Sequence, residues 1–264
     1  MDTRRELEQM GVKPVKGQNF LTSEHIVEAL VEAGEVEGQR VLEIGAGTGN
    51  ITGELLKRAE SVVALENDTV LAEHLKEKFP EAEVVNEDIL EHGIPEVDRC
   101  VSNPPFEMSS EIIEHLGKEQ VQSALILQEE LADKLVADPG ESGYGPLTVL
   151  ANYYFIPVKL QTVPREHYYP EPEVDTAIVK LYPNRERHGV EDEELFFKFS
   201  RALFTHKRKK ARNAFVDARH ILDIEKDHAK KLRDRLPHSD ERVINLDIRQ
   251  LNEMAEKFRE LKND

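Results

Sequence analysis

RVLEIGAGTGN, residues 40–50, is the stretch that decides the fold. RVLEIG is an apolar, β-favouring run that ends in glycine, and it reads as a buried strand. Glycines follow at 45, 47 and 49, and ITGELLKRA then takes up helical spacing. A strand that runs through a glycine-rich turn into a helix opens a βαβ unit. Glycines there let the backbone approach a ligand closely and expose amides at a helix N-terminus. The spacing is G-x-G-x-G; the dinucleotide fingerprint wants G-x-G-x-x-G, and residue 50 is Asn. A tight turn without a ligand is the plain alternative.

Working outward, strands and helices alternate. SVVALE (61–66) reads as a second strand ending in an acid, and TVLAEHLKEKF (69–79) as an amphipathic helix stopped by Pro80. AEVVNED (82–88) and DRCVSN (98–103) are further strands, SSEIIEHL (109–116) a serine-capped helix, QSALILQ (122–128) a fifth strand and EELADKLVA the helix after it. This alternation predicts an α/β fold with a doubly wound, Rossmann-like, mostly parallel sheet. YFIPVKLQTV and TAIVKLYP predict an antiparallel hairpin at its edge, after a stretch from residue 141 that opens with turn residues and whose front part can be a helix. From about residue 184 the pattern is helical only, and PNRERHG reads as a linker. The expected domains are therefore 1–183, the sheet domain, and 184–264, a small all-helical domain.

The composition narrows the function classes. The chain has 264 residues, a formal charge of −17 and one cysteine, Cys100. One cysteine excludes an intrachain disulfide framework and a multi-cysteine metal site, and no metal is expected. Cys100 reads as a small buried residue. No apolar run has the length of a membrane span, and MDTRRELEQMGVKPVKG lacks an apolar signal segment, so a cytoplasmic protein is expected. An acidic chain is not drawn to nucleic acid by its overall field, so such a role must rest on a local patch. RALFTHKRKKAR (201–212) is one, with Lys207, Arg208, Lys209, Lys210 and Arg212 and no acid among them. A solvated helix face is the alternative reading. Phe204 and Phe215 read as core.

Two acids and an elbow extend the glycine turn. Glu43 lies two residues before the first glycine, Glu66 ends the second strand and Asp88 follows the third. A carboxylate at Glu66 can accept from both ribose hydroxyls of an adenosine ligand. Asp88 can meet an adenine amino group or cap a short turn. All lie at strand carboxyl ends, where open α/β sheets bind ligands. The acid-x-G-x-G-x-G turn resembles the S-adenosylmethionine loop of class I methyltransferases. Asn103-Pro104-Pro105-Phe106 closes the fourth strand and resembles the catalytic motif of methyltransferases acting on exocyclic base amines. Such an amine is a poor nucleophile because its lone pair is delocalised. The Asn103 amide oxygen and the Pro104 carbonyl can accept its N–H bonds, and Phe106 can stack on the base. The prolines hold the geometry without adding donors. An Asn-Pro turn before a helix is the alternative.

From about residue 14 to 216 the chain resembles the KsgA family of ribosomal small-subunit RNA adenine N6,N6-dimethyltransferases, in its archaeal form. The resemblance is carried, in order, by GQNFL (17–21), EIGAGTGNIT, Glu66, NEDIL, SNPPF, LILQEELADKLVA, YGPLTVLANYYF, VPREHYYPEPEVDTAIVKL and RALFTHKRKKARNAF. It implies that Gln18, Asn19, Leu21, Gly45, Gly47, Gly49, Glu66, Asp88 and Asn103 contact S-adenosylmethionine or frame its pocket. It implies that Asn103, Pro104 and Phe106 are catalytic, that Tyr168 sandwiches the target adenine with Phe106, and that the basic run holds RNA. The implied reaction is dimethylation of two adjacent adenosines near the 3′ end of small-subunit ribosomal RNA, within a pre-30S-type particle, by a monomer. The family usually carries Leu or Ile at 104, Tyr at 106 and Lys at 129; here they are Pro, Phe and Glu. The competing readings are a DNA adenine N6-methyltransferase, suggested by NPPF, and an assembly-checking binding factor with secondary methylation. A nicotinamide enzyme is disfavoured by the glycine spacing.

Overall fold

The structure, a computed structural model, describes residues 3–15 and 17–262. In chain order its elements are α1 (Thr3–Met10), β1 (Phe20–Leu21), α2 (Glu24–Gly34), β2 (Arg40–Ile44), α3 (Asn50–Leu55), β3 (Ser61–Leu65), α4 (Thr69–Lys78), β4 (Glu83–Val85), α5 (Ile89–His92), β5 (Arg99–Ser102) and α6 (Ser109–Lys118). β6 (Gln122–Gln128), α7 (Glu129–Leu135), α8 (Pro146–Tyr154), β7 (Phe155–Val163), β8 (Tyr168–Tyr169) and β9 (Thr176–Pro183) follow. The last helices are α9 (Glu193–Phe204), α10 (Ala211–Asp217), α11 (Lys226–Leu232) and α12 (Ile248–Lys262).

Among the described residues a seven-stranded sheet runs in the order β4-β3-β2-β5-β6-β9-β7. β2 sits near its middle, parallel to β3 and β5, as an apolar run buried on both faces requires. β9 pairs antiparallel with both β6 and β7, which makes the expected edge hairpin. The α2 face carrying Ile26, Val27, Leu30 and Val31 is buried against the sheet. Burying each such side chain contributes about 1.5–3 kcal/mol. Where the β2–β5 ladder stops, the Ser102 hydroxyl accepts from Ile44 N at 2.7 Å, so the central strands stay satisfied at the end that carries the site. Cys100 is fully buried on β5, and burial pushes its thiol up to about 12.

Residues up to Asp133 together with Phe155–Pro183 form one compact unit; Lys134–Tyr154 and the chain from Asn184 onward form a second. The division drawn at residue 183 on sequence grounds therefore needs a correction, because 134–154 belongs with the helical unit. The reason is aromatic. Tyr153 and Tyr154 on α8 pack edge-on and tilted against Phe196 and Phe197 of α9, and both hydroxyls bond to Glu193. Phe199, Phe215 and Phe258 form a second ring cluster in that unit, with centroids 5.5–6.1 Å apart. Phe204 and Phe215 are core. Among the described residues no helix is long and apolar enough to cross a membrane.

Candidate active site

The carboxyl ends of β2, β3 and β5 open onto a cavity of about 310 Å³. Gly45 and Gly47 line it from the glycine turn, Glu66 and Asn67 from the end of β3, Asn103 to Met108 from the elbow, and Gln18 to Leu21 from the segment before α2. The first sheet unit thus brings together Gln18, Asn19, Leu21, Gly45, Gly47, Glu66, Asn103, Pro104 and Phe106.

The glycine turn is built differently from the free amide bank that its composition suggests. Gly45 N and Ala46 N donate to the Leu65 carbonyl, Gly47 N donates to Glu66 Oε2 at 2.8 Å, and Gly49 N donates to Ala46 O. The amides of Gly45, Ala46, Gly47 and Gly49 are therefore already engaged. Gly47 has φ +57, and a Cβ there would lie 2.9 Å from the Phe20 ring, so glycine is what lets GQNFL close over the turn. Gly49 does not line the cavity. It caps α3 at φ +80, packed under Phe79.

Glu66 is almost fully buried. Its Oε1 accepts from Asp68 N at 2.9 Å while Oε2 holds Gly47 N. Burial raises its carboxyl above the ordinary range, and these backbone donors partly offset the rise. Asn86, from the NEDIL stretch, donates to the carbonyls of Glu66 and Asn67 and shapes the turn that aims the carboxylate. Each Glu66 oxygen keeps lone-pair capacity for a hydroxyl.

Glu43 is the residue that sequence reasoning underplayed. It is 1% exposed and lines the cavity, with Oε2 accepting from Thr52 Oγ1 at 2.5 Å. Burial, with neighbouring Glu66 adding to it, pushes its carboxyl up to about 8. Its spacing before Gly45 was visible in the sequence; its burial was not. Glu43, Glu66 and Glu107 line the cavity, and no Lys or Arg does among the described residues. A cavity lined by three carboxyl groups and no cation, with four of its loop amides engaged, has little to offer a pyrophosphate. It suits a ligand that brings positive charge and neutral hydroxyls, as the sulfonium, ammonium and ribose of S-adenosylmethionine do.

At the elbow, Asn103 Nδ2 donates to the Asn19 carbonyl at 3.0 Å, while Oδ1 is buried with no partner. A buried acceptor left unsatisfied costs about 1–3 kcal/mol, which a ligand donor would recover. The Pro104 carbonyl accepts no hydrogen bond from the described residues. Phe106 is half-buried and lines the cavity, starting a 3-10 turn that leads into α6. Ser109 is the first α6 residue and not its cap; its hydroxyl donates to Phe106 O at 3.0 Å and steadies that turn.

Besides Gly49, two implied ligand positions lie outside the cavity lining. Asp88 caps α5, accepting from Leu90 N at 2.9 Å, and is not among the cavity residues. Tyr168 is 5% exposed in the hydrophobic core, bonded through its hydroxyl to Thr176 Oγ1 at 2.7 Å, so its ring has no free face for a base. It serves by pairing with Leu21 across β1 and β8. Glu129 accepts from Lys159 and Thr162 on β7.

The basic run belongs to the second unit: Lys207, Arg208, Lys209 and Lys210 lie in the loop between α9 and α10, and Arg212 is on α10, so its cations do not form one helix face. Most of its charge is paired. Lys209 meets Asp217 at 2.7 Å, Lys210 and Arg212 meet Asp240 at 2.9 and 3.0 Å, and Lys207 donates to the Ser142 carbonyl. The hydrogen bonds from Lys209 and Lys210 hold the Asp217 and Asp240 carboxyls below the usual range. Arg208 is exposed and its guanidinium has no partner among the described residues.

The family model for ribosomal RNA adenine dimethylase matches residues 12–256. A probable ribosomal RNA small subunit methyltransferase A of Thermococcus sibiricus is 35% identical over 250 residues, covering 92% of this chain and 90% of its own. Its counterpart in Methanopyrus kandleri is 36% identical over 256 residues, covering 93% and 92%. Among solved structures, a dimethyladenosine transferase from Plasmodium falciparum aligns with a TM-score of 0.81 at 25% identity, over 92% of this chain and 98% of that one. The 23S rRNA methyltransferase ErmE aligns at 0.65 and 24%, over 91% and 99%, a likeness of fold.

Proposed function

The chain belongs to the ribosomal RNA adenine dimethylase family, and from that premise we propose that its cavity joins S-adenosylmethionine to the N6 amine of adenosines in small-subunit ribosomal RNA. It is a methyltransferase of ribosomal RNA adenines. The finer reading is dimethylation of two adjacent adenosines near the 3′ end, on a pre-30S-type particle, by a cytoplasmic monomer.

The observation that carries the site is the orphaned Asn103 Oδ1. S-adenosylmethionine, when bound, supplies an electrophilic methyl on a sulfonium. Glu66 would hold its ribose, the turn at Gly45 and Gly47 would let it lie close to the backbone, and Gln18, Asn19 and Leu21 would close over it. Asn103 Oδ1 accepts one N–H of the target amine and the Pro104 carbonyl the other, which draws the nitrogen lone pair out of the ring. Phe106 stacks on the flipped or unpaired base, a contact worth about 1–3 kcal/mol. A carboxamide is a weak base, so the proton leaves afterwards from the cationic product to water. Phe in place of the family's usual Tyr keeps the ring face. Arg208 and its basic neighbours supply phosphate contacts from the second unit.

The test is transfer of labelled methyl to undermethylated small subunits, naked small-subunit RNA and duplex DNA. N6,N6-dimethyladenosine on the subunits is expected. Asn103→Ala should lower transfer at least about a hundredfold while the cofactor dissociation constant stays within about threefold. Wild-type transfer by that variant, or transfer to DNA alone, would defeat the reading.

A further inference from the structure

Asn50 follows the glycine turn, opens α3 and lines the cavity. Its side chain also reaches away from the glycine turn. Nδ2 donates to the Leu21 carbonyl at 2.7 Å and to Thr3 Oγ1 at 3.0 Å. Leu21 lies on β1, and two residues earlier on that segment the Asn19 carbonyl receives Asn103 Nδ2 at 3.0 Å. One short extended stretch therefore accepts a hydrogen bond from the glycine-turn helix at one end and a hydrogen bond from the elbow amide at the other.

That stretch needs outside support. Its ladder to β8 is two residues long, too short to be rigid alone. Thr22 anchors one side, giving both N and Oγ1 to the His167 carbonyl at 2.8 and 2.9 Å. Asn50 anchors the other side.

The position of the Asn19 carbonyl matters because a carboxamide has two nearly isosteric ends. Rotation about its terminal torsion meets only a broad, roughly two-fold preference, so the partner of Nδ2 decides which end faces a ligand. With Asn19 O in place, Oδ1 is presented. Without it, an NH₂ group can face the donor N–H of the target amine, which cannot accept it productively.

We propose that Asn50 is a positioning residue that, through Leu21 and the Asn19 carbonyl, holds the Asn103 amide with Oδ1 toward the substrate. The proposal rests on the reading of Asn103 as the acceptor of the target amine. It makes the helix that follows the cofactor turn also the support of the methyl-acceptor site.

Three measurements test it: kcat at saturating cofactor and RNA, the cofactor dissociation constant by calorimetry, and the side-chain amide resonances of Asn103, assigned by their loss in Asn103→Ala. Asn50→Asp is nearly isosteric but turns the donor into an oxygen that repels the Leu21 carbonyl, and Asn50→Ala removes the donor without adding charge. Thr3→Val removes only the other partner. Both Asn50 variants should lower kcat at least about tenfold with the dissociation constant within about threefold, and the Asn103 amide protons should shift and exchange faster. Thr3→Val should leave all three measurements near wild type. An unmoved Asn103 amide in a folded Asn50 variant overturns the proposal. So does a rise in dissociation constant that matches the fall in kcat, or an equal loss in Thr3→Val. If the wild type methylates no RNA, the functional reading fails, and the amide resonances, which need no turnover, still decide the positioning role.

Discussion

Replacing Glu43 with glutamine should change how stability depends on pH. The wild-type carboxyl lies at about 8 in the folded protein against an ordinary value of 4.5, because it is buried beside Glu66. The folded state therefore keeps a proton that the unfolded chain releases. For a raised acid this means that stability falls as pH rises from the unfolded value to the folded one, by about 1.4 kcal/mol per pH unit. Between about pH 5 and about pH 7 the wild type should lose about 2 to 3 kcal/mol through this group. Glutamine has nearly the same volume, cannot ionise, and still offers Thr52 Oγ1 an acceptor in place of the carboxyl oxygen that it meets now. Urea unfolding of both proteins across about pH 5 to about pH 8 isolates the effect, since every other titrating group is shared. The difference should grow with pH in favour of Glu43→Gln and level off above about pH 8. A pH-independent difference would refute the assignment of a protonated carboxyl to this position. A cationic ligand in the cavity favours the carboxylate, so its affinity should rise with pH more steeply in the wild type than in the variant, where only Glu66 keeps a raised carboxyl.

Three further outcomes follow from the geometry. Glu66→Gln leaves one of the Gly47 and Asp68 amides without an acceptor and weakens the ribose site, so cofactor affinity should fall about tenfold or more by calorimetry; an unchanged dissociation constant rules out the ribose contact. Gly49→Ala puts a Cβ 2.4 Å from Phe79 Cε2 at φ +80, so it should cost about 2 kcal/mol or more in a denaturant melt, and wild-type stability would show that the packing yields. Arg208→Ala should lower the salt slope of RNA binding by about one counterion, whereas Lys210→Ala, whose charge already pairs with Asp240, should lower it less; equal slopes mean that the ion pairs do not persist on RNA.

Much of the architecture was legible because it rests on local signals. The apolar run RVLEIG, the glycine turn after it and the β-α alternation fix each element by periodicity and backbone preference, and the sheet follows from them. That Glu66 and Asn103 would line one cavity was legible too, since strand ends in a parallel sheet face the crevice where ligands bind. The family resemblance added the order of these motifs, which no single one carries.

What only the tertiary structure decided are the properties that depend on distant neighbours. Residues 134–154 read as part of the sheet domain, yet rings from 196 and 197 bury Tyr153 and Tyr154 in the helical unit. Tyr168 and Tyr169 are adjacent and chemically alike; the β1–β8 register and the Thr176 hydroxyl put the first into the core. The run at 207–212 contains no acid, so its pairing with Asp217 and Asp240 was invisible along the chain. Glu43 becomes a protonated acid only because the sheet closes around it, and Asn103 presents its oxygen only because the Asn19 carbonyl, 84 residues earlier, takes its NH₂. Sequence sets which groups the chain owns and the local shapes it prefers; burial, pairing and the orientation of an amide belong to whichever distant residues the fold brings against them.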